Sequence, residues 1–222
     1  MKIVRTFFAL SVVIFAASCT YTGTGGNPIS RKFTWFSYVN GDDIRKVCAD
    51  LGADRYRFVY NGIYQRQTRS YDVFFHAKQL NIQVRGDAEI NKIKMDDLFA
   101  PWRGVTTEVL LDEKMLSEIK QSLIASAALQ PAPQGLRLYS DKFYWTVAAC
   151  VDGKFHFNAY LWPTQRWEKM KFNETLFSLD NTGVEVYPPK NLSSVDIWGS
   201  YTDAKPFLLQ VGRNGLVGFD GE

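Results

Sequence analysis

The chain is poor in the residues that most often carry chemistry. Among 222 residues it has two histidines and three cysteines. His76 and His156 are far apart and inside stretches that read as strands, so the clustered donors of a zinc site are missing. No G-x-S-x-G elbow occurs. Gly212, Gly215, Gly218 and Gly221 lack the lysine and following helix of a phosphate-cradling loop and read as hairpin and tail punctuation. Cys48 sits mid-helix among apolar residues, away from the helix N-terminus that would stabilise a thiolate, which argues against a cysteine nucleophile. Charge of one sign is also lacking. Taking Lys2 and Arg5 away with residues 1–18 brings the 26 basic residues to within one of the 23 acidic ones. No overall field therefore points to nucleic acid. After residue 19 no apolar run reaches the about 20 residues that a spanning helix needs. These gaps leave no metal and no cofactor expected.

What is present begins at the N-terminus. Lys2 and Arg5 precede an apolar stretch, Phe7 to Ala17, which ends in Ala16-Ala17-Ser18-Cys19. A basic head, a short apolar body and a small-residue exit make a secretory signal peptide. With the cysteine at its exit, residues 1–19 resemble the bacterial lipoprotein signal, whose lipobox places small residues before an invariant cysteine. The resemblance implies cleavage between Ser18 and Cys19. It also implies diacylglycerol on the Cys19 thiol and an acyl chain such as palmitate on the new amino group. Ala16 stands where the family prefers leucine, and ordinary secretion with Cys19 left as a plain thiol stays open. Thr20 is not the aspartate that tends to retain such proteins at the inner membrane, so the resemblance points to the outer membrane.

Three segments follow: a signal peptide over 1–18, a lipidated cysteine and flexible Gly/Thr-rich tether over 19–32, and one globular domain over 33–222. Asn40-Gly41-Asp42-Asp43 opens a helix over about 41–51, with Ile44, Val47, Cys48 and Leu51 on one stripe. Asp112 opens a second over 112–129, with Leu116, Ile119, Leu123 and Ala127 on its buried side. Strands read from Arg55 to Tyr60, Ser70 to Ala77, Asn81 to Arg85 and Val105 to Leu111, with Asn61-Gly62 as a turn. Residues 87–103 read as irregular, with a helical turn around Asp96–Ala100. Asp152-Gly153 closes a hairpin that places Val151 opposite Lys154 and Cys150 opposite Phe155. One face, with Tyr144, Thr146, Ala148, Cys150, Phe155, Phe157, Ala159 and Leu161, should be core. The other, with Phe143, Trp145, Val147, Val151, His156, Asn158, Tyr160 and Trp162, is mixed. Residues 207–219 repeat the device around Arg213-Asn214-Gly215. The fold class is α+β, a largely antiparallel sheet with two principal helices.

Cys48 and Cys150 both fall on expected core faces and form a candidate disulfide in an oxidising envelope. The one local charge excess lies between residues 55 and 85, where Arg55, Arg57, Arg66, Arg69, Lys78 and Arg85 meet one acid, Asp72. The functional expectation is a non-catalytic envelope lipoprotein, bound to the membrane through its N-terminal lipid. Its sheet surface would hold an envelope protein or an anionic lipid or glycan. The candidate contacts are Arg55, Arg57, Arg66 and Arg69 with Trp145, Tyr160 and Trp162; a solvated charged face is the plainer alternative. A periplasm-facing hydrolase of cell-wall material stays as the second reading, because any two acids can converge in space.

Overall fold

The computed structural model of the chain describes residues 28–86, 104–191 and 206–220. The expected signal peptide, Cys19 and the helical turn around Asp96–Ala100 lie outside these residues. Strands β1 (Arg55–Gly62), β2 (Gln67–Phe74), β3 (Gln79–Gly86) and β4 (Val105–Leu110) form an antiparallel meander. Strands β6 (Phe143–Val151) and β7 (Lys154–Leu161) then return to the free side of β1. The result is a six-stranded sheet of order β4-β3-β2-β1-β6-β7. A second sheet of three strands, order β5-β8-β9, contains β5 (Arg137–Tyr139), β8 (Leu208–Val211) and β9 (Leu216–Asp220).

Side-chain alternation gives the large sheet two faces, and both are covered over its β1–β6–β7 half. On the first, Tyr56, Phe58, Tyr60, Tyr71, Val73, Leu80, Ile82 and Trp145 build the main core. Above them lie α3 (Glu113–Ala125), α4 (Gln165–Glu168) and α5 (Phe172–Leu179). Asp112 caps α3 by accepting the Met115 N–H at 2.7 Å, and Leu116, Ile119 and Leu123 face the sheet. Phe172, fully buried at the start of α5, sits 5.0 Å from Phe58, 5.2 Å from Tyr160 and 5.4 Å from Trp145 between ring centres. Truncating it to alanine would cost about 3–5 kcal/mol.

The second face carries Val59, Tyr144, Ala148, Cys150, Phe157 and Ala159. It packs against Leu138, Leu209, Val211 and Leu216 of the small sheet and against Val39 and Ile44. Val39 belongs to α1 (Pro28–Asn40) and Ile44 to α2 (Asp42–Val47), which runs on into a 3-10 turn, Cys48–Asp50. Gly41, the corner between α1 and α2, has φ 68°. A Cβ there would stand 2.3 Å from the Cβ of Ala148, so only glycine lets the corner rest on β6.

The α+β class and the antiparallel pairing stand, and the β6–β7 hairpin has Val151 opposite Lys154 and Cys150 opposite Phe155. Several expectations are corrected. Asn61 and Gly62 lie inside β1 rather than in a turn. The Asn61 side chain is buried and donates to the carbonyls of Ser140 and Lys142, while the chain reverses at Ile63, whose carbonyl accepts from Arg66 and Gln67. The helix expected over 41–51 is a short helix plus a 3-10 turn, and the one over 112–129 ends at Ala125. The helices are not limited to these two. α1 begins at Pro28, inside the stretch expected as tether, and its aromatic and β-branched residues have weak intrinsic helix preference, so packing decides its state. Most of the hairpin face expected to be mixed is buried as well: all nine residues of β6 are out of water, as are Asn158 and Tyr160 of β7, while His156 and Trp162 are half-buried.

Candidate functional site

The charged residues that the sequence singles out are drawn into three braces, each tying distant segments together. In the first, the Arg57 guanidinium lies 3.8 Å over the Tyr38 ring. Arg57 donates from Nε to Asp72 at 2.8 Å, and from Nη1 to Asp43 at 2.7 Å and to the Tyr38 carbonyl at 3.2 Å. Tyr38 Oη completes the ring by donating to Asp72 at 2.8 Å. Arg55 joins Asp43 at 2.9 Å and covers the Phe74 ring. Burial opposes ionisation of Asp43, but Arg57 and Arg55 outweigh it and hold the carboxyl below its ordinary range. This brace fastens α1 and α2 to β1 and β2.

The second brace lies on the opposite face. Arg69 donates to Asp180 at 2.6 Å, to Gln67 at 2.9 Å and to the Val184 carbonyl. Asp180 also accepts from Tyr71 at 2.7 Å and from Thr182. Burial works against the Asp180 charge, yet the hydrogen bonds from Thr182 and Tyr71 and the charge of Arg69 keep its carboxyl below the usual range. Gln67 accepts the Tyr187 N–H and donates to the Glu185 carbonyl, so residues 180–187 are laced onto β2.

In the third, Asp54 accepts from Tyr56 at 2.7 Å, from Lys120 at 2.8 Å and from the Asp152 N–H at 3.0 Å. Burial opposes this carboxylate, but those partners lower its pKa. The chain carries one serine–lysine spacing of the kind used by serine acyl-enzymes, Ser117-Glu118-Ile119-Lys120. Lys120 is bonded to Asp54, which raises its pKa and keeps its proton in place, the reverse of what a general base requires.

The seven candidate contacts do not converge on a surface. Arg57, Arg69, Trp145 and Tyr160 are buried, Trp145 and Tyr160 completely. Arg55, Arg66 and Trp162 are half-buried at separate places: beside Asp43, at the β1–β2 turn, and edge-on to Phe143 at 5.8 Å. The physical reason is charge neutralisation. One carboxylate within residues 55–85 made the stretch look basic, but Asp43 and Asp180 reach it from outside. His76 is exposed in the turn after β2 rather than in a strand, and His156 is half-buried in β7. Among the described residues no group of three His, Cys, Asp or Glu side chains could hold a metal ion.

Cys48 and Cys150 are joined, with their α carbons 5.5 Å apart and a sequence separation of 102. The bond ties the end of α2 to β6, beneath the small sheet.

The two edges of the large sheet differ. In β7, the Trp162 N–H bonds back to Phe143, so Phe155, Phe157, Ala159 and Leu161 turn their backbone groups outward. Side chains occupy them. Asn214, from the β8–β9 turn, accepts the Phe157 N–H at 2.7 Å and donates to the Phe155 carbonyl at 2.9 Å. Asn158 accepts the Ala159 N–H, and Thr164 donates to the Leu161 carbonyl. Strand β4 has no such cover among the described residues. Val105 is 41% exposed and Leu110 77%. No sequence pattern distinguished the two edges, because a closing group such as Asn214 comes from another part of the chain. No family model matches the chain, and no curated protein aligns with it.

Proposed function

We propose that this protein is exported, cut before Cys19 and held at the outer membrane of a bacterial envelope by acyl chains on that cysteine. The domain that follows acts as a non-catalytic binding or assembly module. The observation that carries the reading is the Cys48–Cys150 bond, since such bonds persist in oxidising compartments and are rare in the cytosol. It agrees with the signal-like residues 1–19, and the lipid would supply about 0.8 kcal/mol of membrane affinity per buried methylene. The use of the ionisable groups supports the non-catalytic part. Asp43, Asp54, Asp72 and Asp180 each hold a cation or hydroxyl that fastens one element to another. Membrane contact runs through the N-terminal lipid, and an envelope protein suits this chain as a partner better than an anionic ligand does, because Arg57 and Arg69 are already held by Asp43, Asp72 and Asp180.

The test is metabolic labelling with a fatty acid in a bacterial host. The wild-type chain should take up label and sediment with membranes, and Cys19→Ala should lose both. Recovery of an unlabelled wild-type chain with its leader uncut would end this reading.

A further inference from the structure

We infer that β4 is the contact through which two copies of this chain pair. The strands lie antiparallel across a two-fold axis at Thr107 and continue the six-stranded sheet from one copy into the other. The inference needs no lipid anchor and stands apart from the proposed function.

Backbone direction comes first. The Leu111 N–H donates to the Lys78 carbonyl at 2.8 Å, on the β3 side. Alternate residues of a strand point their backbone groups the same way, so Val105, Thr107 and Val109 bond inward. Thr106, Glu108 and Leu110 therefore present their N–H and C=O groups outward, where no strand lies among the described residues. Of the devices that usually blunt such an edge, Val105-Thr106-Thr107-Glu108-Val109-Leu110 has only the single charge of Glu108. It has no lysine and no proline, and its register with β3 runs without a bulge. Three β-branched residues open the strand and a fourth follows Glu108, the composition that suits pairing. The contrast with β7 matters here, because this same chain closes its other edge with Asn214, Asn158 and Thr164.

Charge and length then select the occupant and its register. Outward groups sit at even positions, so even residues must face even residues in a symmetric pair. Centring on Glu108 sets two carboxylates opposite each other, which is unfavourable. Centring on Thr106 pairs only residues 105–107 of the strand and leaves Val109 and Leu110 unmatched. Centring on Thr107 pairs all of residues 105–109, with Val105 opposite Val109 and Thr106 opposite Glu108, whose carboxylate can accept from the threonine hydroxyl. The two Thr107 residues then form a close pair without backbone bonds between them, about 4.5 Å apart at Cα.

The test is site-specific crosslinking of the full chain with copper phenanthroline, read on a non-reducing gel. Thr107→Cys should give a reductant-sensitive species of twice the chain mass. Its yield should exceed that of Thr106→Cys or Glu108→Cys by about 10-fold, because two-residue offsets carry those sulfurs beyond bonding reach. Adding Thr106→Lys and Leu110→Lys to the Thr107→Cys chain should abolish the species. Sedimentation of the wild-type chain in density-matched detergent should find two chains per particle. One chain per particle at every concentration, or a crosslink untouched by the lysines, overturns the inference. A highest yield at position 106 or 108 overturns the register. A crosslink only to a protein of different mass shows that the edge serves another chain, and overturns the self-pairing.

Discussion

Arg69 Nη1 lies 2.6 Å from Asp180 Oδ2, and the two side chains, 111 residues apart in sequence, are almost wholly out of water at 0% and 5% exposure. A buried pair of this kind is more informative when broken than when counted. Replacing Arg69 by methionine keeps most of the volume but leaves the Asp180 carboxylate buried with no cation beside it, held only by the Tyr71 and Thr182 hydroxyls and the Thr182 N–H. The expected loss is about 3–5 kcal/mol, read as a lower urea midpoint. Limited proteolysis should then cut within residues 180–187, whose ties to β2 run through Arg69, Gln67 and Tyr71.

Stability should fall in acid for a reason that can be assigned. Asp43, Asp54 and Asp180 all have folded pKa values below their ordinary 3.8. A depressed carboxylate contributes stability that is fully present above 3.8 and is lost as the pH falls from there through the lower folded values. Urea midpoints should therefore change little between neutral pH and about 5, then drop steeply below 4. At the alkaline end the sign reverses. Burial raises Tyr38, Tyr56, Tyr71 and Tyr144, so their contribution is complete below 10.0 and lost as the pH rises through the folded values. Tyrosinate absorbance from these rings should appear together with unfolding rather than before it.

The Cys48–Cys150 bond closes a loop with a sequence separation of 102. Chain-entropy arguments give about 4–5 kcal/mol for a loop of about 100 residues. Cys48→Ser with Cys150→Ser should lower the denaturant midpoint by a corresponding amount. Reductant should shift the wild type and leave the double variant unmoved. A midpoint insensitive to reductant would contradict the bond.

Asn214→Ala removes two of the bonds that close the β7 edge, the acceptor for Phe157 N–H and the donor to Phe155 C=O. Water can reach this edge, so the loss should be about 1 kcal/mol. The specific readout is the Phe157 amide, whose hydrogen exchange should quicken while that of Trp145 and Ala149 in central β6 stays slow.

Much of the sheet was legible from local pattern. Period-2 alternation put Tyr56, Phe58 and Tyr60 on one face, and they share one core cluster. Asp152-Gly153 set the register of β6 against β7 residue by residue. Helix α1 and the place of Asn61 were not legible. Neither follows from propensity: α1 is held by tertiary packing, and Asn61 is kept in a strand by the carbonyls of Ser140 and Lys142. The arginine-rich stretch misled for a related reason. A count of nearby charges sees only sequence neighbours, while Arg57 and Arg69 are neutralised by Asp43 and Asp180.

Alternation, turn dipeptides and caps act over a few residues, so the sequence by itself determined which side chains share a strand face, where the β6–β7 hairpin closes and where α3 starts. Tertiary structure alone decided what covers each face, because a strand buried on both sides and one buried on a single side can read alike when aromatics fill both. It also decided which arginines face water, which cysteine meets which, and which sheet edge is closed. Each of these depends on two segments meeting in space, and their separation in sequence carries no record of that meeting.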